Sequence, residues 1–540
     1  MGKQSETDLI ERQGMSIKEK ESDTVKSELA TNRSTVYFET NHLMADIGGH
    51  TVRGGAVTIL SHGLKFAVGI IATAILARLL TPQDYGLIGM VAVATNFVSM
   101  LKDLGLSYPT VQRAEIDLDQ ISMLFWVNVG LSVVLVAIMM AIAPLLSWFY
   151  AEPRLTMIAV VTAIGFLFGG LSVQHEALLR RQMRFFTLSA IALVSMVAGY
   201  VVGITLAWYG VGYWSLVFSQ LTLLATSAIG IVTLCGWRPG LPRWNSDARS
   251  MLTFGGQVTG YSIINYISKN LDNLLIGKFW GAQNLGLFSK AGQLVSLPSE
   301  QMDEPLATVA VPVLSRLDDS PERYRRVYLR MLEKVMLLTM PAITLVIVSA
   351  DSVVQLVLGS QWTAASRIVF FLGIAALFQP VLNTMGWLFL SQGRSREMLQ
   401  WSMINAPISI ASIICGLPWG AVGVAASYSL TRVVVVNPLV YWIMGRSGPV
   451  RTKDLYGHLA PFVLASIGAF LTCLAFRSFV VLDSTILNIA ASGIVILVTT
   501  LAFLLLFPVG RSALLDVKYL LVSLQPLTSN RSFGSRIRDL

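Results

Sequence analysis

Long apolar runs alternate with short polar breaks along most of the chain. From about residue 56 to residue 508, the runs are close to the ~20 residues that a helix needs to span the hydrocarbon of a bilayer. They are continuous and lack the every-second-residue alternation of barrel strands, so the pattern predicts helices. Fourteen spans are predicted, of which the second, seventh and eighth are the least apolar. They lie near residues 56–79, 85–103, 121–147, 155–173, 187–208, 212–235, 251–276, 283–305, 328–350, 366–390, 398–416, 419–444, 458–479 and 485–508.

Lysine and arginine are concentrated in every second loop between these spans. One set of loops carries basic clusters such as those at 180–184 and 323–326, whereas the alternate set carries single basic residues. Because positive residues are retained on the cytoplasmic side, both termini are predicted to be cytoplasmic. The outer loops are short, so any substrate is handled within the helical bundle.

An internal repeat indicates how the spans are grouped. Residues 79–90, LLTPQDYGLIGM, match residues 279–290, FWGAQNLGLFSK, with Gln, Gly and Leu identical at a shift of 200. We therefore predict an all-α polytopic membrane protein with two pseudo-symmetric six-helix lobes and two C-terminal helices, with substrate bound between the lobes. The predicted boundaries are a disordered cytoplasmic tail at 1–50, lobes at 51–240 and 241–450, helices thirteen and fourteen at 451–510, and a cytoplasmic tail at 511–540.

Composition excludes several classes of function. Only 13% of residues are charged, against roughly 25% in an average soluble domain. The formal charge of +9 does not form one basic stripe or a known binding motif, so no nucleic acid is expected as a partner. The three cysteines lack metal or redox spacing, and we interpret them as packing residues. No phosphate loop, metal-binding histidine pair or nucleophile motif occurs, so neither a cofactor, a metal site nor an enzymatic activity is predicted.

Charged and polar residues within the spans are candidate binding groups. A charge at the centre of a lone span costs about 2.5–3.5 kcal/mol on insertion scales, so it normally faces a partner or a wet cavity. The first span carries two such residues, the seventh three, and the twelfth one. The predicted substrate-binding residues are His62, Lys65, Lys269, Asn270, Asp272 and Arg432. For Lys269 and Asp272 an alternative stays open, in which the two side chains, three residues apart, neutralise one another.

An acidic group lies at the inner end of the eighth span. Glu300, Asp303 and Glu304 are flanked by Pro298 and Pro305, which kink or break a helix. We predict that these acids bind a coupling cation or form a gate; the alternative is pairing with arginines of the next loop. A basic amphipathic stretch at 177–186 either contacts anionic membrane lipid or only sets topology.

Four stretches are similar to one transporter family: 76–90, 103–113, 175–185 and 270–298. They resemble the Wzx-type polysaccharide transporter family of the MOP flippase superfamily, in particular the branch that exports exopolysaccharide and lipopolysaccharide repeat units. The resemblance covers roughly residues 50–510. It implies a flippase that moves undecaprenyl-diphosphate-linked oligosaccharide across the bacterial inner membrane by alternating access. It also implies partners among the polysaccharide polymerase and export machinery.

The candidate residues fit this implied substrate. Lys65, Lys269 and Arg432 would hold the diphosphate through charge-assisted contacts, while the polyprenyl tail stays in lipid. The main alternative is an ion-coupled exporter of drugs or metabolites from the same superfamily, in which acids are expected to face the cavity because the substrates are mostly cationic. A membrane glycosyl polymerase or ligase is a third hypothesis, but it requires a larger outer loop.

Overall fold

The computed structural model describes residues 47–100, 110, 118–241, 247–317, 319–480, 482 and 484–523. Within these residues every regular element is a helix, so the predicted all-α membrane fold is confirmed. The chain divides into two compact units, Met1–Gln283 and Asn284–Leu540. The lobe and tail boundaries expected from the repeat stay predictions.

The first unit is built from six helices and the beginning of a seventh. They are α1 (Ile47–Leu79), α2 (Pro82–Ser99), α3 (Leu118–Tyr150), α4 (Arg154–Arg181), α5 (Phe185–Trp208), α6 (Trp214–Cys235) and α7 (Asp247–Ser315), which continues into the second unit. Adjacent helices pack as antiparallel pairs, with α3 against α4 and α5 against α6. The short turns between them explain this order, because short connections leave consecutive helices side by side.

The second unit continues with ten more helices and three short helical turns. The helices are α8 (Pro321–Val348), α9 (Ala350–Val357), α10 (Ala365–Ala376), α11 (Gln379–Ser391), α12 (Ser395–Gly416), α13 (Gly420–Thr431), α14 (Asn437–Arg446), α15 (Thr452–Phe479), α16 (Thr485–Leu504) and α17 (Pro508–Ser523). The turns are two 3₁₀ segments, Ser360–Trp362 and Leu417–Trp419, and a π-helix, Arg432–Val436, between α13 and α14.

Nine helices in the described part of the chain are long and apolar enough to cross a membrane. A tenth span results if α10 and α11, which are bent by 42°, are counted together. This bend has a local cause, because Pro380 in the first turn of α11 has no N–H with which to continue α10. The protein is therefore a multi-pass membrane protein, and the count of fourteen spans stays a prediction.

In both copies of the repeated motif, one helix ends and the next begins at matching positions. Thr81 caps α2 through a capping box, in which Asp84 Oδ2 accepts from the Thr81 N–H at 2.9 Å. At the position 200 residues later, α7 is broken at Gly281, whose φ is 76°. Glycine adopts this left-handed conformation without a steric cost. A capping box in the first copy and a glycine with positive φ in the second thus break the helix at the same place.

The first of these turns fits closely against the second. A Cβ on Gly86 would lie 1.7 Å from the carbonyl oxygen of Ala282 and 2.9 Å from its Cα. We expect Gly86→Ala to lower the free energy of unfolding by about 1–3 kcal/mol, because the obstructing atoms belong to the backbone and cannot rotate away. Thermal unfolding of the purified protein in detergent measures this loss.

Gly130→Ala is the matched control for that substitution. Gly130 lies inside α3, is exposed, and has no atom within 4 Å of a Cβ built there. Alanine is favoured over glycine inside a helix by about 0.5–1 kcal/mol, so this variant should be as stable as the parent or more so. A Gly86→Ala protein that unfolds at the parent temperature would contradict the close contact.

Polar side chains inside the second unit satisfy one another. The Tyr324 hydroxyl lies 2.6 Å from Ser391 Oγ, which joins α8 to α11. Glu333, 3% exposed, hydrogen-bonds with His458 and joins α8 to α15. Because lipid supplies no hydrogen-bond partners, such pairs are required where polar groups are buried in a bundle. Sequence reasoning missed the pair of Glu333 and His458, which lie 125 residues apart.

The arginines of the basic stretch at 177–186 have partners within the protein. Arg180 forms an ion pair with Glu176 at 2.7 Å. Arg181 donates to the Thr110 carbonyl at 3.2 Å, and Arg184 donates to the Leu234 carbonyl at 3.0 Å. The first pair lies within α4, the second contact ties α4 to Thr110, and the third ties the turn after α4 to α6. They are more in keeping with the structural interpretation of this stretch than with a surface dedicated to lipid headgroups.

Ion pairs also fix the turns at helix ends. Arg154 donates two hydrogen bonds to the Glu152 carboxylate, at 2.7 and 2.8 Å, beside the end of α3. Arg394 makes the same two-bond contact with Glu397 at the start of α12. In the turn between α3 and α4, the hydrogen bond from Arg154 lowers the pKa of Glu152 below its usual value, so this carboxylate stays charged at neutral pH.

Candidate functional site

Lys65 lies on the packed side of α1. An α-helix has about 3.6 residues per turn, so positions 65, 69, 72 and 76 form one stripe. Ala72 and Leu76 on this stripe are 4% and 3% exposed. A Cβ at Gly69, one turn beyond Lys65, would lie 3.8 Å from the Tyr200 hydroxyl of α5. The Lys65 side chain therefore leaves the helix on the side that packs within the first unit.

The opposite side of α1 is apolar and exposed. Leu64, Ile71 and Ile75 are 48%, 60% and 37% exposed, as expected of side chains that face lipid. Lys65 and His62 are half-buried and stand outside this lipid-facing stripe. Among the described residues, neither side chain has a hydrogen-bond or ion-pair partner. An ammonium group in this position is available to bind an anion.

The structure separates two candidate residues of the seventh predicted span. Asn270 and Asp272 are two residues apart, so they leave α7 about 200° apart. Asn270 donates to the Tyr266 carbonyl at 3.0 Å, and Asp272 Oδ1 accepts from the Asn273 N–H at 2.8 Å. The side chain of Lys269 lies outside the described residues, so its pairing with Asp272 stays a prediction.

Asn270 lines an apolar cavity of about 290 Å³ in the first unit. Residues of α2, α3 and α7 form its walls, including Met90, Phe97, Ile142, Phe149, Tyr266 and Leu274. The Tyr266 hydroxyl donates to the Val93 carbonyl at 2.8 Å, which attaches α7 to α2. Sequence reasoning missed this cavity, because it is made by helices far apart in the chain. Carbon atoms on nearly every wall suit a hydrocarbon occupant.

Arg432 lies on the packed side of α13. Positions 421, 425, 428 and 432 form one stripe, on which Ala421 and Ala425 are 3% and 0% exposed. Leu430, on the other side of the helix, is 66% exposed. Arg432 Nε donates to the Tyr428 hydroxyl at 2.9 Å, and the guanidinium carbon lies 5.0 Å from the centre of that ring. No described carboxylate pairs with it, so its charge is balanced by no other side chain of the described part.

The backbone at Arg432 is also unusual. Arg432–Val436 is a π-helix, in which the Arg432 carbonyl accepts from the Asn437 N–H five residues on. Pro438 explains it, because proline has no N–H for the carbonyl four residues earlier and its ring crowds that carbonyl. Single π-turns within α-helices occur often at functional sites. The dipeptide Asn437–Pro438 after a run of valines is the sequence signal for this π-helix, and sequence reasoning missed it. The contact of Arg432 with Tyr428 was missed as well.

Each unit thus has one half-buried candidate cation on the packed side of a span. Lys65 in the first unit and Arg432 in the second lie away from the lipid-facing stripes of their helices. The side chains of the acidic group, Glu300, Asp303 and Glu304, lie outside the described residues, and their proposed role stays a prediction. No group of three or more potential metal ligands occurs within the described ranges.

Comparison with known proteins agrees with this geometry. A family model described as "Polysaccharide biosynthesis protein" matches residues 75–367. The lipopolysaccharide biosynthesis protein WzxC of Escherichia coli (strain K12) is 24% identical over 402 residues, which cover 73% of this chain and 80% of WzxC. The teichuronic acid biosynthesis protein TuaB of Bacillus subtilis (strain 168) is 25% identical over 406 residues, 75% of this chain and 83% of TuaB.

A solved structure has the same fold. The lipid II flippase MurJ, in an inward closed conformation, superposes with a TM-score of 0.66 and 13% identity, covering 84% of this chain and 98% of MurJ. At this identity the likeness establishes the fold alone. The predicted resemblance to the Wzx-type transporters is confirmed by the family model and the relatives. Since the model covers more than half of the 540 residues, this chain belongs to the polysaccharide biosynthesis protein family.

Proposed function

We propose that this protein is a flippase for polyprenyl-diphosphate-linked polysaccharide repeat units. It moves them across the bacterial inner membrane by alternating access and so serves exopolysaccharide or lipopolysaccharide biosynthesis. Family membership and the name of the relative WzxC support the class of substrate. The observation that carries the proposal is Lys65, a half-buried cation on the packed side of a span and without a described partner.

The chemistry of the substrate explains why such cations are needed. A diphosphate bears negative charge and cannot enter hydrocarbon unaided. An ammonium or guanidinium group in a medium of reduced dielectric attracts this charge more strongly than it would in water. Lys65 offers three N–H donors, and Arg432 offers a planar fork that matches phosphate oxygens. Each can replace part of the water that the diphosphate loses.

The remaining candidate residues have subsidiary roles in this proposal. Lys269 adds a cation on α7 at a position near the repeat equivalent of Lys65. Asn270 lies on the wall of the apolar cavity, where we place the first isoprene units of the tail. The acids at 300–304 gate the path or bind a coupling cation. Both termini are cytoplasmic, and the polysaccharide polymerase and export machinery take over the product on the outer side.

Export of drugs or metabolites is the less supported alternative. The relatives WzxC and TuaB are named for polysaccharide biosynthesis. Lys65 and Arg432 are cations on the packed sides of their spans, and Asp272 is the one acid among the candidates whose side chains the structure describes. A site for cationic drugs favours acids. The two functions therefore differ in the sign of the charge that they require.

Deletion of the gene from its own host tests the proposal. Cells without the protein should lose surface polysaccharide and accumulate lipid-linked repeat units whose glycan is accessible only from the cytoplasmic face of inverted vesicles. Reintroduction of the full chain should reverse both effects, while sensitivity to cationic drugs stays unchanged. Normal surface polysaccharide in the deletion strain, together with increased drug sensitivity, would support the alternative.

A further inference from the structure

A second cavity lies at one end of the second unit, where α8 gives way to α9 and α10 begins. It has a volume of about 230 Å³. Its walls include Asp351 of α9, Ser366, Arg367 and Phe370 of α10, and Phe470 of α15. Neither Arg432 nor any other residue of the proposed diphosphate site lines it.

Ser366 indicates that this cavity is built to receive a polar group. The residue is 4% exposed, yet its hydroxyl has no hydrogen-bond partner in the part of the chain that the structure describes. A hydroxyl can donate one hydrogen bond and accept two, and leaving it buried and unpaired is unfavourable. A ligand in the cavity would supply the missing partner.

Asp351 and Arg367 place both signs of charge at the same cavity. They are exposed, and neither has a hydrogen-bond or ion-pair partner among the described residues, so they do not neutralise one another. The carboxylate only accepts hydrogen bonds, and the guanidinium only donates them. The cavity therefore offers strong acceptors and strong donors side by side.

One wall is held rigidly by α15. Arg477 donates to the Val348 carbonyl at 2.6 Å and to Ser352 Oγ at 3.4 Å, beside the lining residue Asp351. Phe470 packs against a buried cluster that contains Val348 and Cys473. The polar groups are thus presented on a fixed frame beside two aromatic rings.

This combination selects a neutral ligand with many hydroxyl groups. An anion is attracted by Arg367 but repelled by Asp351, and a cation the reverse, so the net charge of the lining favours neither sign. Sugar hydroxyls both donate and accept, and their apolar ring faces can lie on Phe370 or Phe470. The volume is below the ~300–1,000 Å³ of sites for drug-sized ligands, so it suits a single ring.

We propose that this cavity is a binding subsite for one neutral sugar ring of the transported repeat unit. The inference rests on the proposed function, which supplies the glycan. The orientation predicted from the basic residues of the loops puts this end of the unit on the outer side of the membrane, where the subsite would hold the sugar after translocation. It would favour release of the glycan head toward the outside.

Saturation-transfer NMR on the full-length protein in detergent tests the subsite, with glucose, galactose and fucose as neutral probes and glucuronate and inorganic phosphate as anionic ones. Ser366→Ala and Arg367→Gln should each weaken binding of the preferred neutral sugar about tenfold, the usual effect of losing one hydrogen-bonding group. Because the Ser366 hydroxyl has no partner among the residues of the described ranges, Ser366→Ala should keep the parent melting temperature.

Ser466→Ala is the matched control. Ser466 is 3% exposed and also has an unpartnered hydroxyl, but it does not line the cavity, so sugar binding should stay at the parent level. The proposal is overturned if no neutral sugar binds, if phosphate or glucuronate binds in their place, or if Ser366→Ala binds sugar like the parent.

The binding assay and the deletion experiment can fail separately. Sugar binding that depends on Ser366, in a protein whose deletion leaves repeat units on the outer face, supports the subsite and contradicts the flippase. Accumulation of inward-facing repeat units in the deletion strain, with Ser366→Ala still binding sugar normally, supports the flippase and contradicts the subsite.

Discussion

Lys65→Ala should abolish export of surface polysaccharide while the protein stays folded and in the membrane. Loss of a hydrogen bond to a charged group costs about 1.5–3 kcal/mol, which corresponds to a roughly 10- to 100-fold weaker hold on the diphosphate. Because Lys65 has no described partner in the protein, its removal leaves no described group unpaired. Surface polysaccharide in a deletion strain that carries the variant measures the effect.

Two further variants separate charge from a general effect of substitution. Lys65→Arg keeps the charge in a different geometry and should retain part of the export. Lys453→Ala removes an exposed lysine at the start of α15 and should export like the parent. Normal surface polysaccharide in Lys65→Ala would remove this residue from the mechanism, whereas complete loss in Lys65→Arg would show that geometry matters more than charge.

Arg432→Ala should cause a loss of export of similar size. Its guanidinium lies on the packed stripe of α13, and Tyr428 orients it through the hydrogen bond to Nε. Lysine cannot reproduce the planar two-bond contact with a phosphate, so Arg432→Lys should recover only part of the activity. Tyr428→Phe removes the orienting hydroxyl and should give an intermediate loss. Export assays on the three variants establish this order.

Arg446→Ala is the control for the loss of an arginine near the end of the same span. Arg446 is exposed, lies 3.9 Å from Glu397, and belongs to a class of surface pair worth about 0–1 kcal/mol. Its export should stay near the parent level. If Arg432→Ala exports normally, or if it fails only because the protein unfolds in a melting assay, the guanidinium has no part in binding the substrate.

The repeat shows how far local patterns reach. The match between residues 79–90 and 279–290 predicted a change of helix at equivalent places, and the breaks at Thr81 and Gly281 lie there. The preference of threonine for helix caps and of glycine for positive φ are properties of single residues, so the sequence alone can predict them. That Gly86 has no room for a Cβ beside Ala282 could not be read, because the obstruction comes from a segment almost 200 residues away.

The candidate cations show the same division. That Lys65 and Arg432 stand inside apolar runs is visible in the sequence, and their cost in lipid makes them candidates. Only the structure shows that each of them lies on a helix stripe with buried neighbours. It also shows that Arg432 begins a π-helix and contacts Tyr428. Asn270 and Asp272 both stand among the candidates predicted from the sequence, and only the structure shows that they lie on different sides of α7, with Asn270 at an apolar cavity.

The amino-acid sequence by itself determined that this is a helical membrane protein with cations within its spans, because hydropathy and the cost of a buried charge are properties of short segments. The resemblance of four short stretches indicated the polysaccharide transporter family. Only the tertiary structure decided which side of each helix is packed, which walls enclose the two cavities, and that the Ser366 hydroxyl is buried without a partner. Burial and cavities depend on contacts between residues far apart in the chain, and no local pattern specifies them.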